Sequence, residues 1–161
     1  MTLFGGGRPM GVSVDVENLK ATVGEVQAVA ARAADMRPAT RRIAGLLVEG
    51  NRRVFETKGE AVGEPWPESA PGTLARKART GVGALSDVMV DSGDLEHELV
   101  GGNPKISATR SSARAGTRLF YAKFAIRSKH EPARPPVGIP EETRKDSFVV
   151  LEEYLIHGGA A

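Results

Sequence analysis

No cysteine occurs in the 161 residues, which excludes disulfide bonds, thiolate nucleophiles and thiolate metal sites. Aromatic residues are scarce, with one Trp, two Tyr and five Phe, so a row of rings for stacking on nucleic-acid bases is hard to assemble. The three histidines, His97, His130 and His157, are far apart and show no metal-ligand spacing. Apolar runs fall well short of a bilayer span, and the start "MTLFGGGRPMG" lacks the apolar stretch of a signal peptide. The expectation is therefore a chain that is intracellular when made and has no membrane partner. The glycines of "FGGGRPMG" have neither the lysine nor the strand-to-helix setting of a phosphate loop.

What the chain does have is 19 glycines and 10 prolines on an otherwise ordinary background of 40% hydrophobic and 26% charged residues. Its length suits one domain with extensions and long irregular connections. The expected division is an arm over residues 1–11, a single domain over 12–157 and a tail over 158–161. A net charge of +2 conceals blocks. Residues 32–53 carry six Arg against Asp35 and Glu49, for +4, and residues 54–104 carry nine acids against four bases, for −5. Residues 105–134 hold eight Lys or Arg against Glu131 alone, for +7. Such alternation suits identical copies meeting acidic face to basic face, or the solvated faces of a monomer.

Valines alternate in "GVSVDV", the mark of a short strand with one buried side. Val16, Leu19, Val23, Val26, Ala30 and Ala33 then recur at steps of three and four, predicting a helix over 17–35 with one apolar stripe. Pro38 fits the first turn of a second helix on which Ile43, Leu46, Leu47, Gly50, Val54 and Phe55 share a face, with Gly59 as a stop. Thr73 can cap a short basic helix ended by Gly81, and Ser92 can cap another that closes at Gly101 and Gly102. "KISATR" and "GTRLFYA" around "SSARAG" read as a hairpin, with Phe120, Tyr121 and Phe124 expected in the core. "EPARPPVGIP" is a rigid extended segment, and a terminal helix from Pro140 carries Phe148, Leu151, Tyr154 and Leu155 on one side. The fold class implied is α+β, a small antiparallel sheet packed with two long N-terminal helices and a C-terminal helix, with extended proline-rich loops.

Sites of chemistry are not evident. Ser92, Asp94 and His97 lie close together, but the first two are explained by capping and no buried acid orients the histidine. Glu141 and Glu142, like Glu152 and Glu153, fit solvated helix turns. The expectation is a non-enzymatic protein with no catalytic residue, no metal and no cofactor. Arg110, Arg114, Arg118, Arg127 and Lys129 would neutralise phosphates if a hairpin gathered them on one surface, so a small nonspecific DNA-binding protein is the alternative function.

The only tryptophan lies in "GEPWPESAPGTLARK", where prolines forbid a helix or a central strand and stiffen the chain. Trp66 is either a plug that pins this loop to its own core or an anchor for another chain. Glu64, Glu68, Arg76, Lys77 and, in the second rigid segment, Arg134 are the companions expected at such an interface.

Three separated motifs resemble those of the phage Mu-type virion morphogenesis family, the tail completion proteins. They are Gly63, Trp66-Pro67 and Thr73 to Lys77; "VMVDSGDLEHEL" from Val88 to Leu99; and Tyr121-Ala122 followed by "PARPPVGIPEE". The start, "VSVDVENLKATVGEV", is similar to that of related head-tail connector and completion proteins of long-tailed phages. The chain departs from the family in reading "YAKFAIRSKHEPARP" where a His-Gln-x-Gly segment usually follows Tyr-Ala, and Pro136-Val137 where Phe-Leu is frequent. The resemblance implies a structural virion protein, present in host cytoplasm during assembly. Copies would form a ring, expected to be hexameric, in the neck or at the head-proximal end of a tail. Its partners would be the head connector, the tail terminator and the tail tube, with nonspecific contact to DNA in the channel.

Overall fold

The computed structural model describes residues 16–81, 93–123 and 134–159. It is an α+β structure in which a two-stranded antiparallel ribbon packs against helices. The strand expected over 12–16 lies outside the described residues, except that Val16 opens the first helix.

Helix α1 spans Val16–Ala34, with Glu17 in its first turn and Arg32 in its last, each matched to the helix dipole. A two-residue link joins it to α2, Arg37–Glu56, whose first turn contains Pro38 as expected. Asp35 fixes that link. Its carboxylate accepts from the Arg37 backbone N–H at 3.2 Å and from Arg37 Nε at 2.7 Å.

Helix α2 is the central element, packed against the terminal helix and the ribbon. Its deepest positions are Ala39, Thr40, Ala44, Gly50, Asn51, Val54 and Phe55. Of the face read from periodicity, Gly50, Val54 and Phe55 are buried, while Ile43, Leu46 and Leu47 are only half-buried. Small residues take the close approaches because side chains at the start of the terminal helix arrive there. A Cβ on Gly50 would lie 2.9 Å from Thr143 Oγ1 and 3.2 Å from Pro140 Cδ of the terminal helix.

After a 3-10 turn, Glu60–Val62, comes helix α3, Pro71–Thr80, ended by Gly81. It begins two residues before the expected Thr73 cap, since the fixed φ of Pro71 already suits a first helical turn. Helix α4, Asp94–Glu96, runs into a π-helical turn, His97–Gly101, closed by the Gly102 N–H on the His97 carbonyl at 2.7 Å. Gly93, at φ +84°, occupies the cap position expected of Ser92, which lies outside the described residues.

Strands β1, Lys105–Ala108, and β2, Ala113–Gly116, pair in register Lys105↔Gly116 to Ala108↔Ala113. The turn therefore falls earlier than expected, and Leu119 to Tyr121 are not strand. Thr109 sets the turn: its N–H donates to the Ser112 carbonyl at 2.8 Å, and its Oγ1 accepts from the Ser111 and Ser112 N–H groups. Thr40 Oγ1 in turn donates to the Thr109 carbonyl at 2.7 Å, tying the turn to α2.

Helix α5, Glu141–His157, follows Pro140 as expected. Thr143 and Val150 are its buried residues. Phe148, assigned to the packed side by spacing, is 64% exposed, because α2 is the main element packed on α5 and apolar residues encircle the helix from Phe148 to Ile156.

Candidate interaction surfaces

The core gathers Val54, Phe55, Trp66, Leu95, Leu99, Val100 and Ala122, with Val62, Leu119 and Val137 packed on it. Trp66 is 7% exposed and meets Phe55 edge to face, ring centroids 5.2 Å apart. Its indole N–H donates to the Pro135 carbonyl at 3.2 Å. Arg134 Nε donates to the Pro67 carbonyl at 3.0 Å, and its Nη2 to the Glu68 carbonyl at 2.7 Å. The two proline-stiffened segments thus clasp each other through an indole, a guanidinium and three carbonyls. Gly59 makes room for the clasp: at φ +89°, a Cβ there would sit 2.1 Å from the Glu64 carbonyl oxygen and 2.7 Å from Trp66 Cδ1.

This arrangement shows where the expected interface residues lie. Trp66 is a plug in its own chain, not an exposed anchor. Lys77 is 3% exposed, with its stem inside the fold, and the Arg134 guanidinium is engaged by backbone carbonyls. Glu64, Glu68 and Arg76 are exposed around the clasp. The sequence motifs converge on this core, supplying Trp66, Leu95, Leu99 and Ala122 to it and Val137 to its edge. The mutual fit of Trp-Pro and Arg-Pro was not readable from either segment alone, since each offers carbonyls that any extended chain offers.

Phe120 and Tyr121 correct another expectation. Phe120 is 76% exposed, and its ring meets that of Tyr121 edge to face at 5.8 Å. Only Ala122 of this run enters the core, because Phe120 and Tyr121 lie in a turn where period-two alternation does not apply. Burial first, then the nearby Asp94 and Glu98 carboxylates, raises the Tyr121 phenol above its ordinary pKa. Phe124 lies outside the described residues.

Among the described residues, two apolar surfaces are open. On α1, Val16, Leu19, Val23 and Val26 are 46–63% exposed. The helix meets the rest of the chain through a different face, where Glu25, Ala28, Val29 and Arg32 lie beside Ile156 and His157. Arg32 Nη1 donates to the Leu155 and Ile156 carbonyls at 2.7 and 2.8 Å, binding the C-terminal end of α5, and the Tyr154 hydroxyl donates to the Asp35 carbonyl at 2.7 Å. The stripe found in the sequence is therefore a helix face turned away from the other described residues. The second surface is a groove of about 450 Å³ floored by Met36, Ile43, Leu47, Ile139, Phe148 and Leu151.

The basic blocks differ in how they are answered. Arg37, Arg42, Arg52, Arg53 and Arg144 pair with Asp35, Glu153, Glu49, Glu142 and Glu141 respectively. Much of the first basic block thus joins α2 to its own turns and to α5. Arg110, Arg114 and Arg118 are exposed on and beside the ribbon. Arg127 and Lys129, expected to join them, lie outside the described residues, as does His130. The strongest electrostatic effect is at Asp35, whose hydrogen bonds from the Arg37 side chain hold its carboxyl at about 2 instead of the usual 3.8.

Among the described residues no group of three His, Asp or Glu side chains could hold a metal ion. None of their helices is long and apolar enough to cross a membrane. No protein-family model, curated protein or solved structure matches the chain.

Proposed function

We propose that the chain is a non-enzymatic structural subunit of a tailed-phage virion, assembling into a ring at the head-tail junction that joins the tail terminator or tube to the head connector. The observation that carries this proposal is the exposed stripe of α1. A lone monomer rarely leaves a continuous apolar helix face in water. Fully burying a Val or Leu side chain contributes about 1.5–3 kcal/mol, so covering the exposed halves of four of them is worth several kcal/mol to an assembly. The resemblance in the three motifs supplies the kind of assembly, and the expected sixfold ring follows from it.

The Trp66–Arg134 clasp fits the same role. It fixes the root of the loop that displays Glu64 and Glu68 ahead of the helix that carries Arg76, so that docking those groups on a neighbour costs little ordering entropy. A contact between two different patches of identical chains is head-to-tail, and it closes into a ring when the rotation permits. The test is particle morphology in a phage lacking this chain. Separate full heads and finished tails in negative stain are the expected result, whereas joined, mature particles would rule the role out.

A further inference from the structure

Directly opposed residues of an antiparallel pair share a face. The register therefore puts Lys105, Ser107 and Arg114 on one side of the ribbon and Ile106, Ala108, Ala113 and Ala115 on the other. The alanine side is half-buried on the flank where the ribbon meets α2, and Lys105, Ser107 and Arg114 are exposed. Arg110 stands in the turn and Arg118 two residues past the end of β2, both exposed. No Asp or Glu occurs from residue 99 to residue 130. Among the described residues, no carboxylate lies within ion-pair distance of these four cations, in contrast to the arginines paired on α2 and α5.

We infer that this ribbon is a contact surface for the phosphodiester backbone of duplex DNA, blind to base sequence. Two kinds of polyanion match it, an acidic protein face and DNA, and magnitudes separate them. An exposed ion pair between proteins is worth about 0–1 kcal/mol, too little for four such pairs to hold two chains together. Each duplex phosphate neutralised also releases a condensed counterion, which makes exposed cations effective on DNA at moderate salt. The Ser107 hydroxyl lies on the same face as Lys105 and Arg114 and suits phosphate oxygens. Base reading is favoured when guanidinium groups are pre-organised against a base edge. No hydrogen bond to another described residue holds those of Arg110, Arg114 and Arg118.

This surface does not depend on the virion role, and its test has a separate readout. The full chain is titrated against a fluorescently labelled 20-base-pair duplex by anisotropy between 50 and 200 mM salt. Four phosphate contacts give a log–log salt slope of about −3.6 and a loss of roughly 100-fold across that range. R110E/R114E removes binding at 50 mM salt or shrinks the slope by about two units, with an unchanged circular dichroism melt as the folding control. R42Q/R53Q, which alters cations already paired with carboxylates, leaves the slope as it was. No binding at 50 mM salt overturns the inference, as does a slope insensitive to R110E/R114E. Displacement of the duplex by polyglutamate at equal charge transfers the surface to an acidic protein. A preference for single strands that F120A abolishes transfers it to base stacking.

Discussion

Trp66→Ala is the most informative single substitution, because it asks whether the clasp belongs to the fold or to an interface. The indole is 7% exposed, and truncating a buried Trp costs about 3–5 kcal/mol in lost transfer energy and cavity formation. The edge-to-face pair with Phe55 lies inside that figure, and the Pro135 carbonyl also loses its donor. In a chain of this length each kcal/mol moves Tm by about 2–4 °C, so W66A is expected to melt roughly 10 °C below wild type by circular dichroism. Trp66→Phe separates the parts. It keeps an apolar ring beside Phe55 but removes the N–H donor and part of the buried indole volume, for a loss of about 1–3 kcal/mol, smaller than that of W66A. If W66A melted within two degrees of wild type while losing self-association, Trp66 would be an interface residue and its assignment as a plug would be refuted.

Gly59→Ala should destabilise the chain by more than the ordinary left-handed penalty, at least about 2 kcal/mol, since the added carbon meets the Glu64 carbonyl and the indole; a shift in the urea midpoint measures it. Arg134→Ala should lower Tm by a few degrees, because one part-buried and one exposed carbonyl lose a charged donor; Arg134→Lys should recover only part, since an ammonium does not reproduce the guanidinium fork. V23E/V26E should leave the melt unchanged, as both side chains are exposed, while light scattering shows any wild-type oligomer lost. Acid titration should show the Asp35 contribution. Its folded pKa lies below the unfolded value, at about 2 against 3.8, so its stabilisation is complete above about pH 4 and lost as pH falls towards 2. Asp35→Asn should flatten that part of the stability profile, and an unaltered profile would sink the assignment.

Helix positions were legible because periodicity and breakers act locally: Pro38 and Pro140 stand where helices begin, and Gly81 where one ends. Which face of a helix meets the chain was not legible. The α1 stripe and Phe148 have the spacing of packed residues and are exposed, since burial depends on what lies opposite. The hairpin was anticipated, but its register was not, because Thr109 closes the turn through side-chain and backbone bonds that alternation does not encode. Charge blocks were visible as sums. Only the structure separates arginines answered by carboxylates of α5 from those left on the ribbon. The clasp was least accessible, since its acceptors are peptide carbonyls, present at every residue.

The clasp also bears on the order in which the chain can fold. Trp66 Nε1 and the Pro135 carbonyl are 69 residues apart in sequence, so during synthesis the indole waits, uncapped beside Phe55, until the Arg134–Val137 stretch has emerged. Closing so long a loop is slow, and an apolar cluster left open meanwhile is a place for chaperones or aggregation to act. Chains truncated just short of Arg134 should therefore be protease-sensitive around Trp66, and the full 161-residue chain should be protected.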